Sequence, residues 1–178
     1  MRLALANAKN REILARLPAL GLDDCWLVSG SLFQSVWNGL TGREAGYGIK
    51  DYDVFYFDPD TNFEAEDRAI ARARDLFAPL GLTVELRNQA RVHLWYEKKF
   101  GTAYPPLRSS CEGVDRFLAI ACMVGVAPEG RVYAPHGFDD IEAMIIRPNR
   151  APNFSAAQYA EKAGRWKAVW PELTVMPA

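Results

Sequence analysis

The stretch Ile49-Lys50-Asp51-Tyr52-Asp53-Val54-Phe55-Tyr56-Phe57 decides how this chain is read. From Asp51 to Phe57 it is rich in aromatic and β-branched residues, and it stops at Asp58-Pro59-Asp60. That combination predicts a strand. Alternate residues of a strand point to one face, so Asp51 and Asp53 sit together, roughly 6–7 Å apart. Two carboxylates so placed repel one another unless a cation stands between them. Hard oxygen ligands suit Mg²⁺, which takes one or two carboxylates and completes its shell with substrate phosphates. Taken alone, such a triplet is more often a solvated strand start than a metal site. Strict alternation also puts Phe55 and Phe57 on the acids' face, where another element must cover them.

Upstream, Cys25-Trp26-Leu27-Val28 reads as a short strand ending in Ser29-Gly30, and Ser31 to Leu40 as a helix. A helix N-terminus offers free N–H groups and a partial positive charge, which together bind phosphate. Gly30 removes a side chain that would block close approach. Ser31 caps the helix or gives its hydroxyl to a phosphate; the plain alternative is an ordinary serine cap. Leu3 to Leu17 reads as one helix closed by Pro18 and Gly21, and Gly42 to Gly48 as a loop.

Downstream, Thr61-Asn62-Phe63-Glu64 has capping-box form and predicts a helix running to about Phe77. Thr83 to Arg87 is a third strand, with Glu85 on its polar face. If it neighbours the Asp51–Asp53 strand, three carboxylates converge. That cluster fits two-metal phosphoryl transfer, in which Glu85 or a partner aspartate takes the proton of an acceptor hydroxyl. Arg91 to Tyr96 reads as a fourth strand, with Arg91 and His93 on one side. Helices are expected over about Val114–Val124 and Phe138–Ile145. A last one opens at the Ser155-Ala156-Ala157-Gln158 capping box and runs towards Trp166. Lys50, beside the acids, and Arg91, whose guanidinium can clamp phosphate oxygens, are assigned to the nucleotide. Asn88 and His93 are possible contacts. His136, Asp139 and Asp140 receive no role.

The spacing Gly30-Ser31, about twenty residues, Asp51-Tyr52-Asp53-Val54, a helix, then Val84-Glu85-Leu86 resembles the signature of the DNA-polymerase-β-like nucleotidyltransferase superfamily. The chain is more closely similar to a bacterial nucleotidyltransferase-like family of unsettled substrate. That likeness lies in Gly30 to Asn38, Ile49 to Val54, Asn88 to Tyr96 and Tyr133 to Asp140, and covers nearly the whole chain. It implies an α/β (α+β) fold: a mixed sheet with helices on one face, the acids on the open face, and C-terminal helices. It also implies a nucleoside triphosphate and Mg²⁺ or Mn²⁺. Asp51, Asp53 and Glu85 are then catalytic and metal-binding, and Gly30 and Ser31 hold the triphosphate. The acceptor is left open among a small molecule, RNA and protein.

Bulk properties are those of an ordinary globular protein. At 178 residues a single domain is expected, with a core of about 1–100 and a helical extension of about 101–178. Lys and Arg number 21 against 22 Asp and Glu, so no bulk nucleic-acid signal exists. Three cysteines without Cys-x-x-Cys spacing exclude a disulfide framework and predict a cytoplasmic setting. The Phe117 to Ala127 apolar run is too short to span a bilayer, which needs about 20 residues, and reads as a buried helix. No Gly-x-x-x-x-Gly-Lys-Ser/Thr loop is present, which argues against a P-loop ATPase. An Asp-x-Asp glycosyltransferase is a rival, disfavoured because only about fifty residues precede Asp51. A non-catalytic nucleotide-sensing or partner-binding module is the other.

Overall fold

The computed structural model describes residues 1–178. Its frame is a five-stranded sheet in the order β3-β2-β1-β4-β5. The strands are β1 (Trp26–Val28), β2 (Tyr52–Tyr56), β3 (Val84–Asn88), β4 (Gly125–Val126) and β5 (Val132–Tyr133). Strand β2 runs parallel to β3, and the remaining pairings are antiparallel. Parallel neighbours need a crossover, here the helix Phe63–Phe77. A separate parallel pair joins Ile145–Ile146 to Thr174–Val175. The architecture is the expected mixed α/β one. No helix is long and apolar enough to cross a membrane.

Numbered in chain order, the helices are α1 (Arg2–Ala6), α2 (Ala8–Arg16), α3 (Gly30–Leu40), α4 (Phe63–Phe77), α5 (Tyr96–Phe100), α6 (Ser110–Val114), α7 (Asp139–Glu142) and α8 (Ala156–Val169). The single helix expected over Leu3–Leu17 is two. Asn7 leaves the helical region at φ -66°, ψ 112° and caps α2 by accepting the Lys9 N–H at 3.0 Å. Its amide also donates to Ser35 Oγ, pinning the junction to α3. Helix α4 begins one residue later than a Thr61 cap requires, because Asn62 accepts from the Glu64 N–H. Ser155 caps α8 through the Gln158 N–H, as its sequence implies.

One sheet face carries Leu27, Val54 and Leu86, all buried in the main core with Leu32, Val36, Trp37, Ala69 and Phe77 of α3 and α4. The other carries Val28, Asp53 and Glu85 in one register row, and Trp26, Phe55 and Arg87 in the next. That face is not open throughout. Trp26 and Val28 pack against Val114 and Met123. Phe55 stacks on Phe117 with ring centres 5.6 Å apart at 18°. The apolar cover needed beside the acids is therefore α6 and the segment after it. Strand β2 ends at Tyr56, so Phe57 escapes the alternation.

Three further expectations are corrected. The Val114–Val124 region is not a helix: α6 ends at Val114, a 3-10 turn spans Ile120–Cys122, and β4 follows. A run buried on both sides has no period to distinguish these forms. The Phe138–Ile145 helix shrinks to α7 before strand Ile145–Ile146. Gln89–Leu94 is a 3-10 turn, capped by Asn88, rather than a fourth strand. Two of the five main-sheet strands come from residues after 100, so the later part of the chain completes the sheet as well as adding helices.

Candidate active site

The parallel register sets Glu85 directly beside Asp53. Asp51, expected inside the strand, comes just before β2 begins at Tyr52, and its charge is still felt at Asp53. The chain then passes from β1 into α3 through Ser29, at φ 54° and ψ -113°. A positive φ is unusual outside glycine, and this one stores backbone strain at the elbow. Ser29 is fixed from both sides. Its N–H donates to the Val124 carbonyl at 2.8 Å, and its own carbonyl accepts from the Leu32 and Phe33 N–H groups. The N–H groups of Gly30 and Ser31 are left at the helix end. A Cβ placed on Gly30 would lie 3.9 Å from Asp53 Oδ2 and 3.5 Å from Gln34 Nε2. The helix end and the central acid are thus adjacent.

Asp53 is held with its carboxyl pushed up to about 7. Loss of water is the main cause, followed by the charges of Asp51 and Glu85; Lys162 and Arg87 pull the other way. Asp53 is half-buried and its two acidic neighbours are exposed, so the repulsion falls on the one carboxyl that has lost most of its water. No three His, Cys, Asp or Glu side chains close in tightly enough to form a metal cage by themselves. Glu85 instead leans to Arg87, 3.6 Å from its Nη2.

Two of the four cations near the acids, Lys162 and Arg165, come from α8, over a hundred residues after Asp53 in the chain. Lys162 is felt at Asp53. Arg165 shares with Gln34, Lys50 and Asp51 a cleft of about 320 Å³ that is backed by Trp166 and Trp170. Lys50 is thus where its position beside Asp51 suggests. Gln34, Arg87, Lys162 and Arg165 carry no sequence signal for this role. A lysine or arginine on an amphipathic helix usually faces water.

Other expected contacts lie elsewhere. Arg91 is buried and pairs with Glu66 of α4 at 3.3 Å, while its Nη1 donates to the Asn62 carbonyl. It clamps the crossover helix to the chain after β3 and is not brought to the acids. Asn88 pairs in register with Tyr56, on the face opposite Asp53. Its amide donates to the Asp58 carbonyl and its Oδ1 accepts the Ala90 N–H, so it stitches loops together. His93 sits on the same 3-10 turn, its Nδ1 buried without a partner. Ser31 is 0% exposed and its Oγ has no partner; the helix is entered at Ser29 with no side-chain cap, so the expected Ser31 cap does not form. Asp140 is taken by a bidentate pairing with Arg147, and His136 and Asp139 are exposed. Burial pushes the Cys25 and Cys122 thiols up to about 12 and Cys111 to about 11, which leaves no reactive thiolate.

Comparison with known proteins gives a consistent answer. A family model described as nucleotidyltransferase matches residues 15–175. An NMR structure described as revealing a CCA-adding enzyme head domain superposes with a TM-score of 0.76 at 23% identity. The match covers 99% of this chain and 95% of that one. At that identity the likeness is one of fold. No curated protein matches the chain.

Proposed function

Since the chain belongs to this nucleotidyltransferase family, we propose that it moves a nucleoside monophosphate from a Mg²⁺- or Mn²⁺-bound nucleoside triphosphate to an acceptor hydroxyl, using Asp51, Asp53 and Glu85. One observation carries the reading: Asp53, pushed up to about 7 by burial and by its two acidic neighbours, lies against the open end of α3. The residues fit a hard cation. Two mutually repelling carboxylates without a third cage ligand are what Mg²⁺ uses when phosphates complete its shell. When bound, the ion neutralises phosphate charge and lowers the pKa of the acceptor hydroxyl.

The protein groups divide the rest of the work. Gly30 and Ser31 offer N–H groups and the positive helix end to phosphate oxygens. Lys50 and Arg165 offset the charge of the leaving pyrophosphate. Glu85, steadied by Arg87, receives the proton of the attacking hydroxyl. The cysteines are free, consistent with cytoplasmic work.

The test is a thermal-shift titration of the full chain with each nucleoside triphosphate, with and without Mg²⁺ or Mn²⁺, alongside assay of pyrophosphate release. A ligand that binds the folded state raises its stability by mass action. We expect a metal-dependent rise for at least one triphosphate, lost in Asp53→Asn. No rise with any triphosphate overturns the site. A rise without pyrophosphate release under any acceptor would leave a nucleotide-sensing module.

Gly30 gives a cleaner check on the phosphate end. An added Cβ meets only ordinary contacts and no positive φ is required there, so Gly30→Ala should fold normally. Alanine also suits a helix better than glycine by roughly 1 kcal/mol. The methyl group nevertheless occupies the space where phosphate would meet the N–H groups. We expect an unchanged or raised Tm, with triphosphate affinity down on the order of tenfold or more. Unchanged affinity would place the phosphates elsewhere.

A further inference from the structure

Beyond Asp53, on the same sheet face, Phe55 and Arg87 lead into a second cavity of about 170 Å³. Its walls are aromatic: Phe55, Phe117, Trp95, Tyr96 and Tyr104 all line it. Phe55 and Phe117 are stacked in parallel, and Tyr96 and Tyr104 have ring centres 4.3 Å apart. Two further lining residues carry polar atoms shut off from water with no partner, Arg116 Nε and Asn153 Oδ1. The orientation of the Asn153 amide is fixed, because its Nδ2 donates to the Arg116 carbonyl at 3.0 Å. Its Oδ1 is therefore an acceptor in want of a donor, on a residue 1% exposed. Arg116 Nε–H is a donor in want of an acceptor. Orphaned buried groups of this kind are costly and point to a missing partner.

The two cavities flank the acids along β2. Lys50, Asp51 and Arg165 line the one before Asp53, and Phe55, Arg87 and Lys162 line the one after it. In-line displacement at phosphorus puts the leaving group and the nucleophile on opposite sides. If pyrophosphate leaves towards Gly30, Lys50 and Arg165, the acceptor enters from the aromatic side. A flat ring stacks on such walls. The unpartnered donor and acceptor carried by two of its lining residues are the complement of a ring that bears both a C=O and an N–H.

We propose that this aromatic cavity holds the acceptor, and that the acceptor is a hydroxyl-bearing molecule with a flat, amide-edged heteroaromatic ring, of which a nucleoside is the simplest form. This rests on the function proposed above. In the transfer, the acceptor hydroxyl gives its proton to Glu85 and its oxygen bonds to the α-phosphorus. The bond from that phosphorus to the bridging oxygen breaks, and pyrophosphate leaves with the electron pair.

Five tryptophans make the test direct, because their indole N–H signals report by position. Trp95 lines the aromatic cavity, whereas Trp166 and Trp170 line the cleft beside Asp51. The ¹⁵N-labelled full chain is titrated with uridine and with adenosine in EDTA, and separately with ribose. A saturable shift of the Trp95 signal with a nucleoside and not with ribose, retained in Asp53→Asn, is the expected result. The Arg116→Lys variant keeps the charge and loses the Nε–H, and should weaken that binding several-fold at unchanged Tm. Titration is then repeated with magnesium triphosphate present. Simultaneous binding supports an acceptor site; competition would assign the cavity to the base of the donor and overturn the proposal. No Trp95 shift at millimolar nucleoside overturns it as well. Because the first titration uses neither metal nor triphosphate, its failure is separate from failure of the triphosphate site.

Discussion

Asp53→Asn is expected to lower nucleotidyl transfer by on the order of a thousandfold or more, with the fold intact. The size follows from where the charge is. Asp53 lies beside Glu85 on one sheet face, with Asp51 just before the strand, and against the N-terminal end of α3, so in the proposed site it would meet both the cation and the phosphates it carries. Asparagine has the same shape and keeps one oxygen, but it removes the negative charge that a divalent ion needs in a site partly cut off from water. At about 1.4 kcal/mol for each tenfold in rate, a thousandfold is about 4 kcal/mol, within reach of one charge in a desolvated pocket. Asp51→Asn should lose metal-dependent binding too. Steady-state pyrophosphate release, with saturating metal and triphosphate, measures both. Residual activity within tenfold of the wild type in either variant would remove that acid from the chemistry.

The frame of this site is legible because its signals are local. Asp51 to Phe57 alternates, stops at a proline and has few other readings. The Ser29-Gly30 elbow sits between an apolar run and a periodic helix. The cap at Ser155 is a short-range hydrogen bond that the residues themselves specify. What the sequence hides is tertiary. Arg91 and His93 alternate with Val92 and Leu94 as a strand would, yet Asn88 caps a 3-10 turn there. Arg91 is drawn to Glu66, a partner twenty-five positions away that no pattern announces. Strand β4 is two residues long inside an apolar run, too short to show its period. Lys162 and Arg165 look like the solvated face of α8 until the chain folds back across the sheet edge.

Removing metal should make the wild-type protein less stable as pH rises from about 4 to about 7, and Asp53→Asn should abolish that slope. A carboxyl whose proton is held up to about 7 in the fold, against 3.8 in an unfolded chain, binds that proton more tightly when folded. Its stabilising contribution is complete below the unfolded value and is lost as pH climbs through the folded one. Above about pH 7 the protein carries an ionised Asp53 that burial and its acidic neighbours disfavour, at a cost of a few kcal/mol. Asparagine matches the neutral acid, so the two proteins should have similar Tm in EDTA near pH 4. By pH 8 the variant should be higher by on the order of 5 °C or more. Taking the difference between the two proteins cancels every other titrating group. Added Mg²⁺ should close the gap at pH 8 by raising the wild type alone, since the ion answers the repulsion that the proton answers at low pH. The same charge would then weaken the empty fold and drive the chemistry, a trade expected where an active site is built from like charges. A Tm difference independent of pH would show that Asp53 ionises freely in the fold, and that its neighbours do not crowd it.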